Sequence, residues 1–335
     1  MPNDPGLAGD TCIFMEAIPG DGGVHHANDL WWLSPDIELT GPLSGLDSAD
    51  AGQVNPTILR FHRKAAASPC LFPGDESLSV ELWVANPSLV MAPHVHGSAV
   101  RVGFIGAPVP PEGGSGTQQI DWTPPAGLPP GDPQSPGHKC LVARCYPSSG
   151  TTSNASFFVP DDPHVAQHNI VVLPVPPGPN PLHPVGTSTV STLNPAAVPP
   201  PNPLQKPEVK LRAVLDLSPK QVVLRTLRRR LQLVPGFQRV RTSPLPRGFK
   251  FDLTGFHASH VVDHSHSSGP GFPPPPSPPS FEARIELPPR RGVVQIPFLA
   301  DLSGTQPGDA CIFHLIQTST ADVVEGGLTL AMVRV

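Results

Sequence analysis

The chain has 335 residues, including 49 Pro and 31 Gly; 15% of it is charged, 38% hydrophobic and 6% aromatic, and its formal net charge is −5. A Pro inside a helix removes a backbone donor and clashes with the preceding turn, so this composition excludes a helical bundle and a doubly wound α/β fold. No Gly-X-Y period is present, which excludes collagen and leaves an all-β chain with Pro-rich loops.

In chain order, strands are predicted at 12–18, 35–40, 57–62, 77–86, 99–105, 118–122, 139–145 and 165–173. The run Ser77-Leu78-Ser79-Val80-Glu81-Leu82-Trp83-Val84 alternates polar and apolar residues, as a strand with one face in a core does. Short strands with turn residues between them point to a β-sandwich over residues 1–173. Residues 174–207 are crowded with Pro and hold no acidic residue, which predicts a semi-rigid connector. A second β-sandwich is expected over 208–335, with strands at 208–217, 249–254, 281–287, 292–298, 310–317 and 328–335. Residues 221–234 fit a helix through Leu224, Leu227, Leu231 and Val234, and nearly fit a strand, which is the preferred reading. A His-rich and Pro-rich loop at 257–280 must lie on the surface of this second domain.

The connector divides two parts of opposite charge. Residues 1–206 carry 7 Lys+Arg against 17 Asp+Glu, and residues 207–335 carry 15 against 10. The net charges of −10 and +5 favour head-to-tail contact between copies, or contact with another protein. The opening residues hold no basic and apolar leader, and no run of 18 apolar residues occurs. The expectation is a soluble chain without a membrane span.

Five cysteines, Cys12, Cys70, Cys140, Cys145 and Cys311, form no CxxC pair. Cys140 and Cys145 are an odd number of residues apart on one predicted strand, so they face opposite ways and cannot pair. Small buried hydrophobes in a reducing compartment are the main reading, with a Cys70–Cys140 bridge as the alternative.

Three ordered segments carry a resemblance. They are Trp32-Leu33-Ser34-Pro35-Asp36-Ile37; Asp121-Trp122-Thr123-Pro124-Pro125 leading to Gly137-His138-Lys139-Cys140-Leu141-Val142-Ala143-Arg144; and Val165-Ala166-Gln167-His168-Asn169-Ile170. Together they resemble bacterial immunoglobulin-like β-sandwich modules, the nearest named group being the cell-adhesion-related domain found in bacteria. The likeness covers roughly residues 25–175 and makes Trp32 and Trp122 core anchors. It implies two tandem immunoglobulin-like β-sandwich domains joined by the Pro-rich linker, and an extracellular or cell-surface setting, although the cysteine usage fits the cytoplasm equally well. Such modules bind, space or scaffold. In the second part, Gly308–Gln317 and Glu325–Leu328 look like the last hairpin of a similar sandwich. His138 occupies the place of the corner tyrosine of antibody domains, so their disulfide-on-tryptophan pin is not expected.

Nucleophile-elbow, phosphate-loop, dinucleotide and HExxH signatures are missing, and no enzymatic activity is expected. Histidine supplies the candidate metal ligands. His94 and His96 fall on one face if extended, and His257, His260, His264 and His266 gather within ten residues beside Asp263. No cofactor is expected on the main reading, and a divalent metal at these histidines is the rival. Residues 220–250 hold nine basic residues and no acid, among them Arg225, Arg228, Arg229, Arg230, Arg239 and Arg241. That stripe is the candidate protein contact. Few aromatics interleave it, which disfavours nucleic acid, and a polyanion-binding module is the second alternative. The reading is therefore a structural or adhesive scaffold, or an accessory subunit of a larger assembly.

Overall fold

The computed structural model describes residues 7, 10–26, 30–40, 48–68, 70–72, 74, 76–92, 95, 97–129, 132–135, 137–150, 157, 159–176, 185–194, 207–219, 223–224, 241–242, 248–263, 280–287 and 292–335. The fold is all-β. It divides into two compact units, one of residues 1–86 and 91–169, the other of residues 87–90 and 170–335.

The first unit runs β1 (Ile13–Phe14), β2 (Ile37–Leu39), β3 (Ser48–Ala49), β4 (Asn55–Arg63), β5 (Ser77–Ala85), β6 (Val100–Pro108), β7 (Ser115–Trp122), β8 (Gly137–His138), β9 (Cys140–Pro147) and β10 (Val165–His168). One sheet centres on β4, which pairs antiparallel with β7, β1 and β2. The other has the order β10-β9-β5-β6, and β3 and β8 form a separate small pair. Alternation along β4 turns Leu59 and Phe61 inward. There they join Ile37, Ile120 and Trp122, and meet Leu78, Val80, Leu82, Leu141 and Ala143 of the second sheet in one core. Two sheets facing one core is the arrangement of a sandwich. Where β6 passes β7, a Cβ at Gly103 would lie 2.1 Å from Cγ2 of Ile120, so the approach needs glycine.

The second unit contains β11 (Ile170–Val175), β12 (Val185–Thr192), β13 (Glu208–Leu215), β14 (Arg241–Thr242), β15 (Gly248–Phe251), β16 (Ala258–Asp263), β17 (Ser280–Glu286), β18 (Val294–Asp301), β19 (Asp309–Ser319) and β20 (Val324–Arg334). Its large sheet has the order β11-β20-β19-β13-β17-β16, with β14 beside β19, and its small sheet is β12-β18-β15. Phenylalanines join the two sheets. Phe249 of β15 lies 4.9 Å from Phe313 of β19, and Phe251 lies 5.6 Å from Phe281 of β17, measured between ring centres.

Several boundaries differ from the sequence reading. The strand expected at 165–173 is two strands. β10 pairs with β9, while β11 runs parallel to β20 in the other unit, and Asn169 between them donates its N–H to the Trp32 carbonyl at 2.9 Å. The stretch 174–207, read as a connector, contains β12, whose Val-Gly-Thr-Ser-Thr-Val-Ser-Thr run pairs with β18 over eight residues. β-branched side chains there outweigh the Pro on either side. Residues 87–90 join the second unit through backbone bonds between Leu89 N–H and Ser191 carbonyl (2.9 Å) and between Ser191 N–H and Pro87 carbonyl (2.8 Å). A Cβ on Gly326 would fall 1.9 Å from the Leu89 carbonyl oxygen, so glycine is required at that crossing. Within 221–234 only Val223 and Leu224 are described, and their backbone is helical rather than extended.

The cysteine reading also changes. Cys12 and Cys70 form a disulfide, with Cα atoms 4.9 Å apart, while Cys140, Cys145 and Cys311 are buried free thiols. Cys70 therefore pairs with Cys12 rather than Cys140. The bond closes a sequence separation of 58 residues across the start of the first unit. The chain-entropy model gives such a loop about 4 kcal/mol of stabilisation. Replacing both cysteines by serine should lower unfolding free energy by roughly 2–5 kcal/mol in urea titration, and reduction of the native protein should mimic it. Equal stability of the oxidised, reduced and serine forms would rule the bond out as a structural tie.

Candidate functional site

β5 is central in its sheet, and its two faces are treated differently. Leu78, Val80, Leu82 and Val84 face the core, while Ser79, Glu81 and Trp83 alternate with them. Glu81 is 1% exposed and accepts five hydrogen bonds. Its Oε1 accepts from Arg101 Nη1 and the Tyr146 hydroxyl, both at 3.0 Å. Its Oε2 accepts from Trp83 Nε1 at 3.0 Å and from Arg144 Nε and Nη2 at 3.1 and 2.7 Å. Burial pushes the Glu81 carboxyl pKa up, but the Arg144 charge and the bonds from Trp83, Arg144 and Tyr146 outweigh it and hold it below the usual value. The register places Arg144 directly opposite Glu81 and Arg101 opposite Trp83. Around the carboxylate, Trp83 packs edge-on against Phe157 at 5.3 Å, and the Arg144 guanidinium lies 5.6 Å from the rings of Tyr146 and Phe157.

The network ends at the sheet edge. The Arg101 side chain is half exposed and lies 5.6 Å from the ring of Phe104. Among the described residues β6 pairs only with β5, so its other edge carries no strand. Phe104 is 57% exposed and Ile105 36%. Register slips between Leu82↔Gly103 and Trp83↔Arg101, leaving Val102 as the extra residue of a bulge. Beyond the bulge, Gly103-Phe104-Ile105-Gly106-Ala107 is a regular, uncharged edge bounded by Pro108. Natural edges usually carry charges or Pro that discourage pairing. This stretch carries neither.

Three further polar clusters occupy the first unit. His164, 2% exposed, lies between Asp162 Oδ1 at 2.9 Å from its Nδ1 and Asp10 Oδ2 at 3.2 Å from its Nε2. Burial alone would lower its pKa, but the bonds to Asp10 and Asp162 and their charges outweigh it and raise the imidazole to about 9. Lys139, with no exposed surface, donates to Asn86 Oδ1 at 2.6 Å, and burial lowers its pKa to about 8. Glu16, Asp36 and His62 bring one ligand atom each to within 4.8 Å of the others. The His62 pKa is raised by its hydrogen bond to Asp36 against desolvation, with the charges of Asp36, Glu16 and Asp21 adding to it. In the second unit, Thr189, Lys250, Asp252 and Phe298 line a groove of about 590 Å³ across β12, β18 and β15.

The residues singled out from sequence fare unevenly. His94, His96, His264, His266, Arg225, Arg228, Arg229, Arg230 and Arg239 lie outside the described residues, as do the side chains of His260 and Arg241. Arg241 has its backbone in β14 and His260 in β16. His257 is exposed and its Nδ1 is 3.1 Å from Glu286 Oε1. The Glu81 cluster escaped sequence reasoning because its members come from three strands. Its one local sign was Glu81 on the polar side of an alternating strand. The trio Glu16, Asp36 and His62 had no sign, since its members are 20 and 26 residues apart.

No family model matches the chain, and no curated protein matches it. Among solved structures, the collagen adhesin CNA of S. aureus aligns over 89% of this chain and 92% of its own, with 10% identity and a TM-score of 0.20. The Enterococcus faecalis MSCRAMM ACE aligns over 89% and 94%, with 8% identity and a TM-score of 0.20. A structure of Gaeumannomyces graminis manganese lipoxygenase with partial Komagataella pastoris zonadhesin gives 89% and 92%, 11% and 0.19. Likeness this slight carries no argument about fold or function. No described helix is long and apolar enough to cross a membrane.

Two measurements test the buried charges. Glu81→Ala removes the carboxylate that the buried Arg144 faces and should cost about 3–5 kcal/mol in urea unfolding, where a loss below about 1 kcal/mol would contradict the network. For His164, the folded pKa near 9 lies above the unfolded value of about 6.5. Its stabilisation is therefore complete below about pH 6.5 and is lost as pH rises through about 9. The melting-temperature gap between the native protein and His164→Gln should shrink from pH 6 to pH 9.5. A gap independent of pH would contradict the clamped imidazolium.

Proposed function

We propose that the chain is a non-catalytic structural or adhesive protein, built from two immunoglobulin-like β-sandwich modules, that holds copies of itself together in an assembly. The paired sheets of each unit support the module reading. One observation carries the contact: the outer edge of β6 is regular, uncharged and apolar at Phe104 and Ile105. An edge strand offers its unpaired N–H and C=O groups to another strand, and a second β6 is a suitable one. Laid antiparallel and centred on Ile105, the copy puts Phe104 opposite Gly106 twice, where the missing side chain leaves room for each ring. No charge of this stretch meets itself. The opposite net charges of residues 1–206 and 207–335 favour a further head-to-tail contact, which salt would weaken. The Cys12–Cys70 bond favours an oxidising, extracytoplasmic setting.

Sedimentation velocity over a concentration series tests the edge. The native chain should self-associate at low and high salt alike, and Ile105→Lys should weaken association at least about tenfold while leaving the melting temperature unchanged. A chain that stays monomeric, or whose association Ile105→Lys leaves intact, would overturn self-pairing at β6. So would an edge that ignores its own copy and takes up a foreign extended peptide.

A further inference from the structure

We propose that Glu16, Asp36 and His62 form a binding site for a first-row divalent cation of the zinc or manganese type. The three donors come from separate places in the first unit, each fixed by backbone bonds. Glu16 follows Met15, whose N–H donates to the Pro163 carbonyl at 2.8 Å. Asp36 lies just before β2, where its carbonyl accepts from Arg60 N–H at 2.9 Å. His62 sits on β4, its ring stacked on Phe14 with centres 5.1 Å apart. The donors are thus held by a sheet and the turns packed on it, and need no folding of a loop to assemble.

The spacing fits one ion. His62 Nε2 lies 3.0 and 3.2 Å from the two Asp36 oxygens, and all three ligand atoms fall within 4.8 Å of each other. Ligands about 2.0–2.2 Å from a common zinc stand roughly 3.3–3.6 Å apart in tetrahedral geometry, close to the His62–Asp36 separations. Asp36 is 2% exposed, and its Oδ2 accepts the Glu16 N–H at 2.6 Å, which fixes the direction of its carboxylate. The same outer support recurs at Ser34, whose hydroxyl donates to the Glu16 carbonyl at 2.5 Å and accepts from Asp36 N–H at 3.1 Å.

Charge supplies the independent argument. Two carboxylates share one imidazole, and the half-buried Glu16 carboxylate has no hydrogen-bond or ion-pair partner among the described residues. Neighbouring cationic groups are turned elsewhere. Arg60 donates to the Pro35 carbonyl and to Glu38, and His25 bonds the Met15 and Val159 carbonyls beside Asp21. A divalent cation matches the excess. One imidazole nitrogen with two carboxylates suits zinc or manganese, whereas calcium takes six to eight oxygens. The site is open to solvent on one side, since the His62 side chain is 22% exposed.

The test is calorimetric titration of the chelator-treated full chain with Zn²⁺ and, separately, Mn²⁺. One equivalent should bind, and Glu16→Gln and His62→Gln should each weaken it at least about tenfold. Replacing His94 and His96, or His257, His260, His264 and His266, by glutamine should leave this binding unchanged. If His62→Gln loses its fold by circular dichroism, Glu16→Gln decides, since that carboxylate has no hydrogen-bond or ion-pair partner among the described residues. No binding by the native chain, unchanged binding in Glu16→Gln, or a loss confined to the other histidine clusters would each overturn the site. Self-association is read separately, so this site and the β6 contact stand or fall independently.

Discussion

A single carboxylate decides how the first unit can be built. β5 lies between β9 and β6 and is buried on both faces, one apolar and one holding Glu81. An unpaired carboxylate there would be intolerable, because removing a charge from water costs several kcal/mol even after relaxation. Arg144, Trp83, Tyr146 and Arg101 satisfy both oxygens; Trp83 shares β5 with Glu81, and the other three need a particular register of β9 or β6 against β5. A one-residue slip would turn these partners to the other face and leave charge in the apolar core. The pair adds little net stability over an apolar substitute, but it penalises every wrong register. Strand order in the β10-β9-β5-β6 sheet is thus enforced by the penalty for misplacing Glu81.

The second unit solves the same problem with shape. Phe249, Phe251, Phe281, Phe298 and Phe313 join its sheets, and among the described residues no ion pair lies between their rings. Buried polar residues form clusters of their own, one at His314, Asp216 and Thr329 and another at Gln317 and Glu325. Gln317 donates to the Leu193 carbonyl at 2.9 Å and to Glu325 at 2.8 Å, and burial raises the Glu325 pKa although the Gln317 bond opposes it. The glycine at 326, beside this cluster, lets the Leu89 carbonyl come close. Apolar contacts specify register less sharply than charges do, so a close approach such as that at Gly326 carries more of that task here.

Strands with clear alternation were legible in the sequence, and strands made by their partners were not. β4, β5, β9, β13, β19 and β20 lie within a few residues of their expected places, because period-two patterning records a buried face locally. β12 hid among prolines, since composition over 34 residues masks a short β-branched run inside it. The division at Asn169 was equally hidden, because Val165–Leu173 reads as one strand, and only pairing tells β10 from β11. Cys12 and Cys70 are distant in sequence, and Cys70 stands in a loop without strand signature, so elimination alone could not choose Cys12. The candidate site was still less legible. Glu81, Arg101 and Arg144 belong to different strands, and an open edge is a property of sheet order, which no local pattern encodes.

Charge counted along the sequence also misstates charge presented to solvent. Residues 1–206 total −10 with histidines counted neutral, yet Asp10 and Asp162 clamp a protonated His164 away from water. Part of the acidic character is therefore internal, and a head-to-tail contact based on net charge draws on a smaller difference than the totals state. The β6 edge owes nothing to that arithmetic, because its recognition groups are backbone amides and two apolar side chains. Glu16 with Asp36 differs from Asp10 with Asp162 in that one of its two carboxylates, Glu16, has no hydrogen-bond or ion-pair partner among the described residues. Where interior charge is closed the chain gains a fixed register, and where it is left open the fold keeps room for a cation.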